Sequence, residues 1–253
     1  MALQFHQFSY MSDNYGVLIH EPSTGETAMV DAGDAASSLA ALKDTGWALS
    51  HILITHHHGD HTAGLAEVKA ATGATVIGPS NASIKNVDER YGDGDEFVFA
   101  GHVCRCIHTP GHTLDMLNFY FPDDGVIFTG DTLFTLGCGR VFEGDKPMMW
   151  ASLKKLIALP AETVVYSAHE YTLANARFAL SVDPGNTALQ RRTLDFEQMR
   201  ERGEATSPTT MAEEMETNPF LRAADPTIRA HLGLEGTSDE AVFAEIRTRK
   251  DNF

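Results

Sequence analysis

Residues 54–64 read ITHHHGDHTAG and overlap the β-branched run SHILIT at 50–55. Four histidines and an aspartate stand within six positions, at the end of what the run predicts to be a buried strand. Imidazoles and a carboxylate crowded there lose hydration, and a bound metal ion compensates that loss better than anything else. His56 and His58 are two apart, so an extended backbone puts them on one face. His57 points the other way and is read as a surface or supporting residue, not a ligand. Asp60 and His61 fall at the predicted start of a helix, where the chain reverses and turns them toward a neighbouring position.

Three further strand ends carry metal-ligating residues. TPGHT at 109–113 brings His112, IFTGDT at 127–132 brings Asp131, and VVYSAHE at 164–170 brings His169. Loops just past rigid strands are where separate segments converge on a site. Five histidines and two aspartates are too many for one four- or five-coordinate ion. Two ions about 3.5–4 Å apart and bridged by one carboxylate use all seven. Asp131 stands alone on its strand end and is the natural bridge.

Around these points the first part of the chain alternates short strands and turns: LQFHQFSY, GVLIH, ETAMV, SHILIT, ATVIG, EFVFA, HVCRCIH, MLNFYF, GVIFT and TVVY. Helices are predicted over 35–43, 62–72 and, with Asp145 as N-cap and Pro147 in the first turn, from 145 onward. Met149, Leu153, Leu156 and Ile157 give that last helix an apolar face. Past about 170 the strands stop. Helices are predicted over 171–182, 187–202, 207–216 and 237–250, the last with Thr237 and Glu240 in capping-box register and Val242, Phe243 and Ile246 on one face. The expected organisation is a domain over 1–170 and an all-helical one over 171–253.

The T-H-x-H-x-D-H run followed by TAG resembles the metallo-β-lactamase superfamily. SDNYG (12–16), GCGR-x-F-EG (137–144), SAHEYT (167–172), NPFLR (218–222) and the terminal RTRKDNF together resemble the hydroxyacylglutathione hydrolase, or glyoxalase II, family. That resemblance implies an α+β fold, an αββα sandwich with a C-terminal helical domain. It implies His56, His58 and His112 on a first metal, Asp60, His61 and His169 on a second, and Asp131 between them. It also implies that Tyr171, Arg247 and Lys250 contact the glutathione part of the substrate, with Arg140 and Phe142 on the GCGR-x-F-EG stretch. The family usually has Lys and Tyr at those two positions. Arg140 keeps the charge but replaces a point with a fork, and Phe142 keeps the ring without the hydroxyl.

The implied reaction is hydrolysis of an S-(2-hydroxyacyl)glutathione, S-D-lactoylglutathione by family expectation, in methylglyoxal detoxification. A hydroxide bridging the two ions is the expected nucleophile, polarisation of the carbonyl stabilises the oxyanion, and Asp60 orients the hydroxide. A thiol of pKa about 8.5 leaves as thiolate without much help, which suits a site that shows no obvious general acid. Two alternatives compete: a mononuclear iron glutathione-persulfide dioxygenase on the same scaffold, and a non-catalytic metal-binding module. The His/Asp donor set without thiolate suits zinc first, with iron or manganese as alternatives.

Composition bounds the rest. The chain has 253 residues, 43% of them hydrophobic, a net charge of −16 and three cysteines. The charge argues against nucleic acid and anionic membranes as partners. No apolar run approaches the roughly 18 residues of a membrane span, and MALQFHQFSYMSDNYG has no signal-peptide pattern. Three cysteines make no disulfide framework, so a reducing cytoplasm and, by family expectation, a monomer are expected. His102, Cys104, Cys106 and His108 alternate along one strand face, read as a semi-exposed or second face, with Val103 and Ile107 on the other, and not as a metal site. Cys138 is read as a small residue beside the site, not a nucleophile. Asp31 in MVDAGD either hydrogen-bonds a ligand histidine or caps its own turn. Without the family pattern, Arg247 and Lys250 would read as a solvated helix end that suits the helix dipole.

Overall fold

The computed structural model describes residues 2–253, and the chain parses into two compact units. The first comprises residues 1–108 and 115–130, the second 109–114 and 131–253. In the first unit, strands β1 (Gln4–Tyr10), β2 (Asn14–His20), β3 (Thr27–Val30), β4 (Leu49–Leu53), β5 (Thr75–Pro79) and β6 (Glu89–Tyr91) form one sheet in sequence order. β1 to β3 pair antiparallel, and β3 to β6 pair parallel. Helices α1 (Ala35–Thr45), α2 (Gly59–Thr62) and α3 (Leu65–Thr72) lie in the crossovers. β3 is buried throughout, and so is nearly all of β5, which is why they read as unbroken apolar runs rather than alternating ones. Leu18, Met29, Ile52, Ile54, Leu65 and Val68 belong to the core of this layer.

Strands β7 (Glu96–Phe99), β8 (His102–His108), β9 (Leu117–Phe121) and β10 (Val126–Phe128) make an antiparallel meander in the same unit. The second unit holds the hairpin β11 (Leu133–Phe134) and β12 (Gly137–Cys138), α4 (Lys146–Ile157), β13 (Val164–Tyr166), α5 (Thr172–Val182), α6 (Thr187–Glu201), β14 (Thr209–Thr210), α7 (Met211–Thr217), α8 (Pro226–Leu232) and α9 (Asp239–Asp251). An aromatic stack packs it. Trp150 of α4 lies on Phe243 of α9 at 5.5 Å, Phe243 meets Phe220 at 6.2 Å, and Phe220 meets Phe178 of α5 at 5.7 Å. Val242, Phe243 and Ile246 are fully buried, as the periodicity of the last helix predicts. This mixture of sheets followed by helices is the expected α+β class.

Several expected elements differ in detail. The single helix expected over 62–72 is broken into α2 and α3. The Gly64 N–H donates to the Ala32 carbonyl at 2.9 Å, and a Cβ on Gly64 would lie 2.5 Å from the Ala35 nitrogen. The helix expected from 207 starts at Met211. Thr209 and Thr210 first pair with β13, and Thr210 and Glu213 then form a capping box. Ser238, not Thr237, caps α9, accepting from the Ala241 N–H. Helix α8 was not expected, although Asp225, Pro226 and Gly233 are its N-cap, first residue and left-handed C-cap.

Phe243 is fully buried between two rings. Phe243→Ala is therefore expected to cost about 3–5 kcal/mol of stability, read as a lowered urea midpoint; a loss under about 1 kcal/mol would show that the aromatic stack does not organise this unit.

Candidate metal centre

In the first unit the loop after β4 carries His56, His58, Asp60 and His61. His56 and His61 are wholly buried, while His58 and Asp60 are half-buried. Donor atoms of His56 and His58 lie within 4.8 Å of each other, as do those of His56 and His61 and those of Asp60 and His61. Asp31 organises this cluster from the end of β3. Its Oδ1 accepts from the Thr55 N–H at 2.8 Å, and its Oδ2 accepts from Thr55 Oγ1 at 2.9 Å and faces His61 Nδ1 at 2.8 Å. Of the two readings of Asp31, the structure shows the bond to a histidine of the cluster, His61. The Thr55 hydroxyl donates to Asp31, so His56 Nδ1, 3.0 Å from that oxygen, is the donor there. Both rings thus hold a proton on Nδ1 and present Nε2 as a lone pair, the tautomer a metal needs.

Asp60 is placed by residues that ligand spacing alone does not reveal. Asn14 Nδ2 donates to Asp60 Oδ2 at 3.0 Å, and the Tyr10 hydroxyl donates to the Asp60 carbonyl at 3.0 Å. This is the local work of the SDNYG stretch. Gly33 lies against the same carbonyl, where a Cβ would come within 1.7 Å of the oxygen.

In the second unit His112, Asp131 and His169 form the other cluster, all at least nine-tenths buried. Asp131 divides its oxygens: Oδ2 is 3.1 Å from His112 Nε2, and Oδ1 is 3.3 Å from His169 Nε2. His112 Nδ1 donates to the Arg140 carbonyl at 2.8 Å, which leaves its Nε2 as an acceptor facing another acceptor. In the first unit His61 Nε2 faces Asp60 Oδ2 in the same way at 3.3 Å. Two acceptors at such distances repel unless a second proton or a metal ion lies between them. The donor set therefore fits divalent metal. Close approach shapes this cluster too, since a Cβ on Gly139 would lie 2.0 Å from the Asp131 carbonyl oxygen and 3.2 Å from His112 Cβ.

The expected substrate residues all lie in the second unit. Arg140 is exposed, with Nε 3.8 Å from Asp251 and its guanidinium 5.6 Å from the Phe142 ring. Phe142 is 60% exposed and meets His112 edge-on at 5.2 Å. Tyr171 stacks flat on His169 at 4.8 Å. Lys250 is half-buried, donates to the Ala174 carbonyl at 3.1 Å and lies over Phe178. Arg247 is buried: Nη1 donates to the Cys138 carbonyl at 2.9 Å, and Nη2 pairs with Asp251 at 3.0 Å.

On the alternating face of β8, Cys104 and Cys106 are fully buried while His102 and His108 are half-buried, and burial raises both thiols, Cys106 to about 12 with help from the Asp95 charge. His102 is taken up by Asp124 at 2.7 Å. Cys138 is likewise buried, which pushes its thiol up to about 11 and makes it a poor nucleophile.

Comparison with known proteins agrees with this geometry. The profile described as metallo-beta-lactamase superfamily matches residues 14–169, and that described as hydroxyacylglutathione hydrolase C-terminus matches 170–253. A hydroxyacylglutathione hydrolase from Rhizobium meliloti is 54% identical, covering 100% of this chain and 99% of its own. Another, from Rhizobium etli, is 51% identical over 99% of both. The crystal structure of ETHE1 from Myxococcus xanthus is similar with a TM-score of 0.65, 28% identity and 98% of each chain covered.

Asp31→Asn keeps the shape and tolerates the left-handed backbone at this position (φ 58°), but it weakens the acceptor for His61. Metal retained after dialysis is expected to fall with an affinity loss on the order of 10–100-fold, the circular dichroism spectrum staying unchanged. Retention equal to wild type would show that Asp31 does not tune His61.

Proposed function

The chain belongs to the hydroxyacylglutathione hydrolase family of the metallo-β-lactamase superfamily, and from that premise we propose how this thioester hydrolase works. Its reaction is cleavage of an S-(2-hydroxyacyl)glutathione to glutathione and a 2-hydroxy acid. That membership sets aside the mononuclear iron dioxygenase. We take S-D-lactoylglutathione as the substrate and a single chain as the acting unit, since one chain supplies every ligand. Three free cysteines suit a reducing compartment, the cytoplasm, and no helix among the described residues is long and apolar enough to cross a membrane.

Two divalent ions, zinc by preference, would be held by His56, His58 and His112 and by Asp60, His61 and His169, with Asp131 shared. When bound, such ions supply a water whose pKa is lowered toward about 7 and an electrophile for the thioester carbonyl. The observation that carries this reading is the division of the Asp131 oxygens between His112 and His169. A carboxylate that serves two histidines on two oxygens is built to serve two ions.

The chain's own residues do the rest. Asp31 and Thr55 fix the tautomers of His61 and His56, and the Arg140 carbonyl fixes that of His112. Asn14 orients Asp60, and with metal bound a carboxylate oxygen of Asp60 would be available to orient a water. Residues 171–253 act as the substrate-binding part. Arg140, Phe142, Tyr171 and Lys250 meet the glutathione moiety; Arg247, expected among them, is buried and instead supports the loop bearing Arg140 through the Cys138 carbonyl. The thiolate leaves unassisted, its pKa of about 8.5 being close to ambient.

Purified protein is expected to hydrolyse S-D-lactoylglutathione with about two metals per chain, to lose activity on chelation and to regain it when zinc returns. Robust metal binding without turnover would point to a different thioester, and one metal at full activity would end the two-ion reading. A second test uses Lys250, whose pKa is lowered to about 8 by burial and then by the Arg247 and Arg177 charges. It is charged below that pH and neutral above it. The substrate KM is therefore expected to rise as pH passes about 8, and to stay level in Lys250→Arg. A wild-type KM that is flat across that pH would remove Lys250 from the substrate set.

A further inference from the structure

We infer that His57, the one histidine of the run that is not a ligand, is a positioning residue for the ligands on either side of it, with Asp115 as its anchor. The inference rests on the reading that His56 and His58 hold metal. Those two rings are 4.7 Å apart, and the His57 ring lies 5.1 Å from His58 and 6.5 Å from His56. The chain bends at His57, whose Nδ1 meets Asp115 Oδ1 at 2.9 Å. Its side chain is about one quarter exposed, and that of Asp115 is 9% exposed.

Asp115 is itself held. Its other oxygen accepts from Asn81 Nδ2 at 2.7 Å. Asn81 sits in the turn after β5, where its Oδ1 accepts from the Ser83 N–H and its carbonyl accepts from Arg90. Arg90 also bonds the carbonyls of Pro79 and Ile84, so the turn is laced to β6. The His57 imidazole is thus tied through two side chains to a stiffened turn.

The tie matters because residues 54–58 belong to no helix or strand. Asp31 grips this stretch at Thr55, and Thr62 Oγ1 grips the His58 carbonyl at 2.9 Å. Between those grips the chain bends at His57. Residue 57 links the two neighbours through this bend, so a rotation of its backbone re-aims one against the other. Holding the imidazole of His57 therefore holds the aim of both neighbours. A single hydrogen bond of this kind contributes only modestly to stability, so aim is the larger part of what this contact supplies.

The test is zinc affinity of metal-stripped, full-length protein, measured by competition with a chromophoric chelator. His57→Ala and Asp115→Ala are each expected to weaken zinc binding on the order of tenfold. The double variant is expected to be no worse than either single one, because both remove the same contact. His57→Asn places an amide N–H near the Nδ1 position and is expected to restore most of the affinity. His57→Gln, whose amide reaches the Nε2 position, is not. Variants that melt earlier without metal but bind zinc like wild type would overturn the inference in favour of a purely structural contact, and so would additive losses. Wild-type protein that takes up no zinc would overturn the metal reading itself, and this inference with it.

Discussion

The first unit is arranged around one buried carboxylate. Asp31 is 2% exposed and occupies a left-handed backbone position that disfavours most side chains by roughly 1–2 kcal/mol. That cost is offset by what the conformation permits. The carboxylate turns back under the parallel strand beside it and takes hydrogen bonds from Thr55 and His61, while the Asp31 N–H donates to Leu53. One residue thereby joins the end of β3, the end of β4 and the start of α2. Two residues on, Gly33 lets the chain lie against the Asp60 carbonyl. The same economy recurs in the second unit, where Gly139 lies against the Asp131 carbonyl and the Arg140 carbonyl orients His112. In both places a glycine admits a close backbone approach beside a carboxylate of the candidate metal centre.

The helical part of the second unit earns its place by holding a short hairpin. β11 and β12 contain four residues in all and could not order themselves. Asn218, from the NPFLR stretch, donates to the carbonyls of Phe134 and Gly137, and Asn175 donates to that of Thr135. Glu214, wholly buried, accepts from the Leu136 N–H and pairs with Arg192 at 2.8 Å. Arg247 takes the Cys138 carbonyl. Three helices, α5, α7 and α9, thus converge on residues 134–138, just before Arg140. A motif that looks like a family signature is, physically, a clamp on the segment that presents Arg140 and Phe142.

What the sequence made legible follows the range of the interaction. The candidate ligand histidines and aspartates are legible because each stands just past an apolar run, and strands announce themselves through such local runs. Val242, Phe243 and Ile246 are legible because helical periodicity is local too. Asn14 and Tyr10 are not, since their task is a contact with Asp60 about fifty positions away. The break at Gly64 depends on where Ala32 and Ala35 lie in space, so no window around residue 64 contains it. Helix α8 is different. Its Asp-Pro start and Gly stop were present, and its seven residues were too few for a periodic pattern to stand out. Alternation on β8 placed the cysteines on one face correctly but not the burial of that face, which depends on what packs over it.

The net charge of −16 does not conflict with a doubly carboxylated substrate. Charges beyond about 8 Å are largely screened at physiological salt, so the balance within one helix turn matters more than the total. Near the end of α9 that balance is close. Asp251 pairs with Arg247 at 3.0 Å and stands 3.8 Å from Arg140, so one carboxylate lies between two guanidinium groups. Lys250 lies near Arg247 and Arg177, and this crowding of cations, added to burial, depresses its pKa. A group of like charges held together against their repulsion is stabilised by an incoming anion more than an isolated lysine would be. The anion relieves repulsion as well as adding attraction. Against the net charge of −16, this cationic group is a local exception, and an anion held there would gain more than at the acidic remainder of the surface.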